Sequence, residues 1–269
     1  MTNIWKKEPK NDWLIDLEKY RIKEKPGPHL HLGPWFSDNG EDGVIDYLFD
    51  YINDINKFAV DIGSAHGYGG SQVRHIADKY NWDTLEMDGI GKWIPMHQRV
   101  KIEWITKYNI CELLEKYKTP IEFDLLSIDI DSMDYWVLES LLVGGYRPNL
   151  AIIEYNPIFS CNEAYVINHN LNYRKDATSR YGASLKAYEV LMNKYEYTLI
   201  HVFGKIGDSV QANNCLFLHN KYINDNMQIK TISELHPFEW KETYKNKNSK
   251  LSLSEIKDEL IQKYFIKLL

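Results

Sequence analysis

Two short stretches that are apolar almost throughout constrain the fold of this chain more than any other feature. They are FDLLSIDI at 123–130 and NLAIIEY at 149–155. A strand that is apolar on both faces has to be covered on both faces, which is typical of a parallel sheet between two layers of helices. The helical pattern SMDYWVLESLL at 132–142 lies between them and can supply the connection that parallel strands need. The sequence therefore predicts an α/β fold.

Alternating helix and strand patterns extend this prediction from residue 40 to about residue 220. The last two strand patterns, YTLIHVFG at 197–204 and NNCLFLH at 213–219, have no helix between them and are expected to pair as a hairpin. The predicted fold class is thus a doubly wound sheet with one antiparallel edge strand. Further helices are predicted at 41–54, 69–80, 109–117 and 182–195, and further strands at 58–62, 83–87 and 100–105.

The domain organisation follows from the limits of this alternation. Residues 37–220 are predicted to form one α/β domain, preceded by an extension over 1–36 and followed by a polar linker and a terminal helix over 221–269. One helical face of the first extension would hold Trp13, Leu14, Leu17 and Tyr20, and one stripe of the terminal helix would hold Ile256, Leu260, Tyr264 and Leu268.

Charge and cysteine content disfavour several classes of protein. The formal net charge of −6 argues against nucleic acid as the main partner, because neutralising phosphates needs clustered Lys and Arg. The three cysteines show neither zinc-ligand spacing nor an even disulfide framework, which favours a reducing, cytoplasmic location. We also expect no signal peptide and no membrane span, since the chain has no apolar run of suitable length.

A turn of small residues follows the first predicted strand, in KFAVDIGSAHGYGGSQVRHIADKY at 57–80. Small residues at this place let the backbone approach a nucleotide-like ligand, although a plain strand-to-helix turn is the alternative. The hydride-transfer fingerprint G-x-G-x-x-G is not met, because Ala65 takes the place of its middle glycine. Glu86 ends the next strand and could hold the two hydroxyls of a ribose. Together the turn and the acid favour a cofactor that contains adenosine.

Acidic residues cluster where the next two strands end. In SIDIDSMD at 127–134 these are Asp129, Asp131 and Asp134. The plainer alternative is that Asp131 or Ser132 caps the following helix and that Asp134 favours its positive end. In IIEYNP at 152–157 the corresponding residues are Glu154 and Asn156. Carboxylate and amide oxygens suit Mg²⁺ or Mn²⁺, so Asp131, Glu154 and Asn156 are predicted as a metal site.

Several other side chains are predicted to serve a substrate, each with a plainer alternative. Arg174 and Arg180, in the insertion before YGASL, could bind a diphosphate or simply be solvated. Tyr155 could form an apolar platform or belong to the core. Tyr181 and Ser184 lie at the start of the helix predicted at 182–195 and could contact substrate, or Ser184 could simply cap that helix. Asn156 is also predicted to contact substrate.

VDIGSAHG at 60–67 resembles the first motif of class I S-adenosylmethionine-dependent methyltransferases. Five further stretches resemble, in order, the FkbM-type members of that class, many of which modify sugars. The resemblance covers roughly residues 40–220 and departs at His66, where this family often has an acid. The five stretches are NGEDGVIDYLF, FDLLSIDIDSMDYWVLESL, RPNLAIIEYNP, YGASLKAYEVL and NNCLFL.

The resemblance implies a seven-stranded Rossmann-like sheet and S-adenosylmethionine as the cofactor. Backbone N–H groups of the glycine turn would meet the carboxylate of the cofactor. Carried over residue by residue, the cofactor would be bound by Asp61, Gly63, Ser64 and Gly67 at its methionine end, by Glu86 at its ribose, by Thr106 and Asn109 near its adenine, and by Asp129.

The sequence thus leads to the hypothesis of an S-adenosylmethionine-dependent O-methyltransferase. The expected substrate is a sugar hydroxyl, on a nucleotide-linked sugar used for a bacterial surface glycan such as capsule. Asp131 or Asp134 would be the base or a metal ligand, with His201 as a reserve base. The terminal extensions would cover the site or build a homo-oligomer. The alternatives are a metal-dependent glycosyltransferase that uses the Asp129–Asp131 pair, a catalytically silent binding domain, and a methyltransferase with a non-sugar acceptor.

Overall fold

The fold is known from a computed structural model of the whole chain, and the description below covers most of the α/β region and part of each extension. The described residues are 17–21, 37, 40–52, 55–65, 67, 71–89, 98–170, 181–203, 214–225, 227–235 and 253–268.

A seven-stranded, mostly parallel sheet forms the centre of the protein, and the structure confirms the predicted α/β class. Its strands are β1 (Phe58–Ile62), β2 (Asp83–Asp88), β3 (Val100–Ile102), β4 (Glu122–Ile128), β5 (Arg147–Glu154), β7 (Tyr197–Phe203) and β8 (Asn214–His219), in the order β3-β2-β1-β4-β5-β8-β7. The last of these, β8, is antiparallel to both of its neighbours, as predicted. It lies between β5 and β7, however, so the edge position belongs to β7.

Helices cover the sheet on both faces, which explains why its central strands are apolar throughout. The helices α1 (Glu41–Tyr51) and α2 (Arg74–Tyr80) contribute to one buried cluster together with Ala59, Leu125 and Ile152. The helices α3 (Ile110–Lys116), α4 (Asp134–Val143) and α5 (Leu185–Asn193) contribute to a second cluster with Val60 and Leu126. Successive residues of one strand therefore belong to opposite cores. Among the described helices, none is long and apolar enough to cross a bilayer.

The helix of the C-terminal extension is shorter than the sequence predicts, and a strand follows it. Helix α7 runs over Leu253–Tyr264, and β9 follows at Phe265–Lys267. This strand pairs antiparallel with β6 (Tyr165–Ile167) in a separate two-stranded sheet. Pairing with β6 explains why the helical pattern stops at Tyr264, since tertiary contacts commonly override local propensity. A short helix α6 (Ile232–Leu235) and 3₁₀ turns at Leu17–Tyr20 and Asn220–Tyr222 complete the described elements.

Gly63, directly after β1, is required by a close approach of two backbones. Its φ is +92°, and a Cβ placed there would lie 1.8 Å from the carbonyl oxygen of Asp129. The contact arises because β1 and β4 are parallel neighbours in register, with Ile62 opposite Ile128, so their ends leave the sheet side by side. Gly63, which the sequence assigns to ligand binding, is therefore already required for the packing of the two backbones.

Replacing Gly63 with Ala should destabilise the protein far more than the same change at Gly145. Both glycines have a φ of +92°, but nothing lies within 4 Å of a Cβ at Gly145. Gly145→Ala should thus cost only the strain of the left-handed backbone, about 1–2 kcal/mol. Gly63→Ala should exceed it by about 2 kcal/mol or more because of the overlap with Asp129. Urea unfolding followed by circular dichroism measures both, and equal losses would contradict the proposed contact.

Candidate functional site

Polar side chains form a row across three neighbouring strands near the carboxyl end of the sheet. Asp61 on β1 is opposite Glu86 on β2 and opposite Ser127 on β4. Residues opposite each other in a parallel sheet present their side chains to the same face. All three are buried, with Asp61 only 2% exposed and Glu86 fully covered. The row lies where ligands bind in open α/β sheets.

Asp61 is held by the segment that leads into α2. Its carboxylate accepts a hydrogen bond of 2.7 Å from the Ser71 hydroxyl, and Ser127 also hydrogen-bonds to it. Burial nevertheless raises the pKa of Asp61 to about 6, and the nearby charge of Asp88 adds to the rise. Asp61 therefore acts mainly as an internal anchor of the turn that follows β1.

Two buried oxygens beside this anchor have no hydrogen-bond partner among the described residues. They are the Ser64 Oγ and the Glu86 Oε2. The other carboxylate oxygen of Glu86 accepts a 3.1 Å bond from the Thr84 hydroxyl. An unbonded buried polar atom costs about 1–3 kcal/mol, and natural proteins rarely leave one without a purpose. These two oxygens are therefore candidate hydrogen-bonding groups for a polar ligand.

The pKa of Glu86 is raised to about 7. Burial is the main cause, and the charge of Asp61 is the second. Arg74 and Arg99 oppose the rise by a smaller amount. Glu86 therefore changes its charge close to neutral pH.

The glycine turn differs from expectation in the use of its backbone N–H groups. Those of Gly63 and Ser64 donate to the Met87 carbonyl at 2.8 and 3.1 Å, and that of Gly67 donates to the Ser64 carbonyl. The N–H of Ala65 donates to the Asp88 carboxylate at 3.0 Å. These four amides thus build the turn itself, and the expectation that they meet a ligand carboxylate is not supported.

Asp88 is a site residue that the sequence reasoning passed over. It is the last residue of β2 and half-buried, two positions beyond Glu86 and on the same side of the strand. Its carboxylate fixes the N–H of Ala65, whose φ of +49° is unusual for a residue with a side chain. Asp88 is therefore a second candidate for ribose binding.

Thr106 and Asn109 brace the loop that follows β3. The Asn109 Oδ1 accepts bonds from the Thr106 N–H and hydroxyl, and its Nδ2 donates to the Trp104 carbonyl at 2.8 Å. The Trp104 ring lies against Gly89, at the end of the β2 segment. Asn109 thus uses both ends of its amide within the loop, which gives this side chain a structural role.

A second group of acids gathers where β4 and β5 end. Carboxylate oxygens of Asp129, Asp134 and Glu154 lie within 4.8 Å of one another. The register explains the pairing of two of them, since Ile128 is opposite Ile153 and the next residues are Asp129 and Glu154. Oxygen atoms at this spacing can surround one hard cation, which binds such ligands at about 2.0–2.6 Å.

Asp134 is the most constrained member of this trio. It is fully buried, and its two oxygens accept the N–H groups of Ile130 and Ser132 at 2.8 and 3.0 Å. Burial raises the pKa of Asp134 to about 6 despite these bonds. The fully buried Tyr188 hydroxyl has no hydrogen-bond partner among the described residues, and the charges of Asp134 and Glu154 help burial to raise its pKa. A bound cation or a ligand hydroxyl would stabilise the buried charge of Asp134 and give the Tyr188 hydroxyl a partner.

The predicted metal ligands are only partly the ones that converge. Glu154 belongs to the cluster as predicted, but its partners there are Asp129 and Asp134. Asp131 and Asn156 were expected in their place. Asn156 is fully buried, with its Nδ2 donating to the Tyr181 carbonyl and its Oδ1 accepting the Ile158 N–H. Asp131 has a φ of +60° and is half-buried. Helix α4 begins without a side-chain cap, so Asp131 and Ser132 do not cap it.

The predicted substrate residues in the described part of the chain have structural roles. Tyr155 is fully buried in the core, which leaves it no surface for a sugar platform. Ser184 caps α5 by accepting the Ala187 N–H, as the plainer alternative had it. Tyr181 is 5% exposed and holds Asn156 through its carbonyl. Arg174 and Arg180 lie outside the described residues.

His201 does not join the acidic trio. It lies on the outermost strand β7, with β8 between it and β5. Its ring contacts Phe203 edge to face, with the ring centroids 4.7 Å apart. This placement favours a packing role over that of a reserve base.

Glu41 is another residue that sequence reasoning missed. It opens α1, is fully buried, and accepts a 2.9 Å bond from the Asn214 side chain. Asn214 in turn is opposite Glu154 in the sheet. The only sequence signal was an acidic pair, Glu41 and Asp42, before an amphipathic helix, which ordinarily indicates a favourable charge at a helix N-terminus.

Comparison with known proteins finds no family model that matches this chain and no curated protein that matches it significantly. A functional assignment therefore depends on the chemistry of the site and on the resemblance of the sequence motifs.

If the cofactor expected from the sequence binds here, Glu86→Gln should weaken the binding of its demethylated product, S-adenosylhomocysteine, about tenfold at pH 8, because a carboxylate accepts two ribose hydroxyls better than an amide does. In the unmodified protein the affinity should rise between pH 6 and 8. The pKa of Glu86 is about 7, so the ion that accepts these bonds forms across that range. Titration calorimetry at several pH values measures both effects.

Asp83→Asn is the matched control, since Asp83 is an exposed acid at the other end of β2. It should retain both the affinity and its pH dependence. Identical behaviour of the two variants would contradict the role of Glu86 and favour Asp88.

Ser71→Ala should lower the free energy of unfolding, whereas Ser64→Ala should not. The Ser71 hydroxyl is bonded to Asp61, so its loss should cost about 1–3 kcal/mol in the free energy of unfolding. Removing the unpartnered Ser64 hydroxyl should leave that free energy unchanged or raise it by up to about 1 kcal/mol. Ser64→Ala should nevertheless weaken cofactor binding about fivefold. Comparable destabilisation by both changes would show that Ser64 has a structural role.

Proposed function

We propose that this protein is an S-adenosylmethionine-dependent O-methyltransferase that acts on a sugar hydroxyl. The observation that supports this most is the meeting of two groups at one edge of the sheet. One is the glycine turn with the neighbouring end of β2, where the Ser64 Oγ and the Glu86 Oε2 have no hydrogen-bond partner among the described residues, and the other is the carboxylate trio at the ends of β4 and β5. The antiparallel β8 agrees with the sheet that the sequence resemblance implies.

The cofactor would be held at the ends of β1 and β2. Ser64 Oγ would bond a polar group at its methionine end, and Glu86 or Asp88 would accept its ribose hydroxyls. Glu86 is fully buried, so ribose would reach it only after the surrounding chain moves, whereas Asp88 is half-buried at the strand end. The carboxylates of Asp61, Glu86 and Asp88 also favour a cationic ligand. When bound, S-adenosylmethionine supplies an electrophilic methyl group.

The acceptor hydroxyl needs a residue that removes its proton, because a sugar hydroxyl is a poor nucleophile at neutral pH. Asp131 is the best candidate for this base. It lies in the loop between β4 and α4, and it is half-buried where Asp134 is fully buried. Its left-handed backbone is the kind of local strain that clusters at functional sites. The loop of Ile130 and Ser132, bonded to the Asp134 carboxylate, would orient it.

A divalent cation fits the trio of Asp129, Asp134 and Glu154. Three carboxylates are a suitable donor set for Mg²⁺ or Mn²⁺. Such an ion, when bound, lowers the pKa of a hydroxyl that it contacts. The trio would hold the ion, and Asp131 would take the proton.

The proposed acceptor is a nucleotide-linked sugar of a bacterial surface glycan such as capsule. A sugar acceptor is favoured by the resemblance to FkbM-type proteins, many of which modify sugars. The acidic net charge of −6 disfavours an RNA acceptor. A small anionic nucleotide needs only a few basic groups, which Arg174 and Arg180 would supply.

A metal-dependent glycosyltransferase is the second candidate, because Asp129-Ile130-Asp131 has the spacing of its metal-binding acid pair. The convergence of Asp129 with Asp134 and Glu154 does not favour it, since Asp131 is outside the trio. The two candidates differ in their donor, which makes them easy to separate.

The decisive experiment incubates the purified protein with methyl-labelled S-adenosylmethionine and either nucleotide-linked or free sugars. We expect label on oxygen in the nucleotide-linked sugars and much less in the free ones. Chelation with EDTA should abolish transfer, and Mg²⁺ or Mn²⁺ should restore it. Glu154→Gln should lower turnover about a hundredfold, since a catalytic ion contributes several kcal/mol.

Glu122→Gln is the control for that variant, because Glu122 is an exposed acid at the opposite end of β4. It should keep full activity. Sugar transfer from a nucleotide without any methyl transfer would favour the glycosyltransferase instead. Full methylation after exhaustive chelation would remove the cation from the proposal.

A further inference from the structure

The C-terminal arm, residues 253–268, is bound to the α/β domain through a third buried cluster. Leu260 of α7 is 9% exposed and packs with Ile158 and Phe159, which follow β5. Phe265 contacts Phe159 edge to face, with centroids 4.9 Å apart. Lys257 pairs with Glu163 at 2.5 Å. The arm therefore combines apolar burial with one ion pair, and it docks on the segment directly beyond Glu154.

Backbone hydrogen bonds continue this contact through β9 and β6. Tyr165, Val166 and Ile167 are opposite Lys267, Ile266 and Phe265. The Leu268 N–H donates to the Ala164 carbonyl at 2.9 Å, and the Asn168 N–H donates to the Tyr264 carbonyl at 2.8 Å. Strand β6 is thus paired with the end of the arm along the whole length of the strand.

The other side of β6 is bonded to the residues that lead into α5. The Ile167 N–H donates to the Gly182 carbonyl at 2.9 Å, and the Ser184 N–H donates to the Tyr165 carbonyl at 2.8 Å. Val166 and Ala183 form an antiparallel bridge. Strand β6 therefore lies between the arm and residues 182–184.

Residues 182–184 in turn hold the loops of the acidic trio. The Gly182 N–H donates to the Ser132 carbonyl at 2.8 Å, and the Asn156 N–H donates to the Ala183 carbonyl at 2.8 Å. Ser132 belongs to the loop whose N–H groups bind the Asp134 carboxylate. Asn156 lies two residues after Glu154. An unbroken series of backbone bonds thus runs from β9 to both loops that place the carboxylates.

We infer that the C-terminal arm is a positioning element of the cation and acceptor site. It holds β6 against residues 182–184 and so fixes the loops of Asp134 and Glu154, while the cofactor end at β1 and β2 does not depend on it. The connection between the arm and the loops is supported by the hydrogen bonds alone. Its effect on cation binding rests on the proposed function.

Leu260→Asp tests this inference, because a charge within the buried cluster should detach the arm. Hydrogen–deuterium exchange should become at least about tenfold faster at the amides of Ile167, Gly182, Asn156 and Ile130. The amides of Gly63 and Ser64, bonded to Met87, should keep their exchange rates. Mn²⁺ affinity, followed by electron paramagnetic resonance, should fall about tenfold, and S-adenosylhomocysteine affinity should change less than twofold.

Gln262→Asp is the matched control, since it places the same charge on an exposed position of α7. It should change none of these quantities. Lys257→Glu is a milder variant that keeps the buried cluster, and it should shift them in the same direction by a smaller factor. Adding Glu163→Lys to it should restore them in part, because the ion pair re-forms with reversed charges while the bond from the Ser160 N–H to the Glu163 carboxylate is lost.

Faster exchange confined to β6 and β9 would overturn the inference, because the arm would then have no effect on the loops of Asp134 and Glu154. Uniformly faster exchange that includes Gly63 would also overturn it, since the arm would then support the whole fold. Failure of the proposed function gives a different result. The unmodified protein would bind neither Mn²⁺ nor the cofactor, while the exchange pattern would still decide the role of the arm.

Discussion

The contact between Gly63 and the carbonyl of Asp129 is the constraint on which the rest of the site depends. Strands β1 and β4 run parallel and in register, so the chain has to leave both at the same level. Only a residue without a side chain lets the turn after β1 pass the backbone of Asp129. That passage places the glycine turn directly beside the first acid of the trio. The proximity of the two halves of the site is therefore a property of the sheet.

Both halves of the site contain buried carboxyl groups, which are held in different ways. Asp61 and Glu86 lie opposite each other on β1 and β2, and burial raises the pKa of each into the range of about 6 to 7. Burial also raises the pKa of Asp134 to about 6, although its two oxygens accept backbone N–H groups. In the first pair Asp61 anchors the turn after β1, which leaves Glu86 as the candidate for hydrogen-bonding a ligand. The trio is suited to a cation, which would compensate its charge.

The insertion after β5 connects the acidic trio to the far end of the chain. Strand β6 pairs with β9 on one side and with residues 182–184 on the other. The loops of Asp134 and Glu154 are tied to the same residues. A segment that reads as a simple terminal helix thus contributes to the geometry of strand ends more than 100 residues earlier in the sequence.

The sequence by itself determined the α/β class, most of the central strands and helices, and the two regions where polar residues gather. Those predictions rest on local periodicity and on apolar runs, which depend on neighbouring residues only. Tertiary structure decided which acids meet, because strand register brings Asp129 beside Glu154 and leaves Asn156 and Asp131 to the loops. It also decided that Tyr155 is core and that residues 265–267 form a strand with β6. Such outcomes depend on contacts between residues far apart in the chain, which no local pattern encodes.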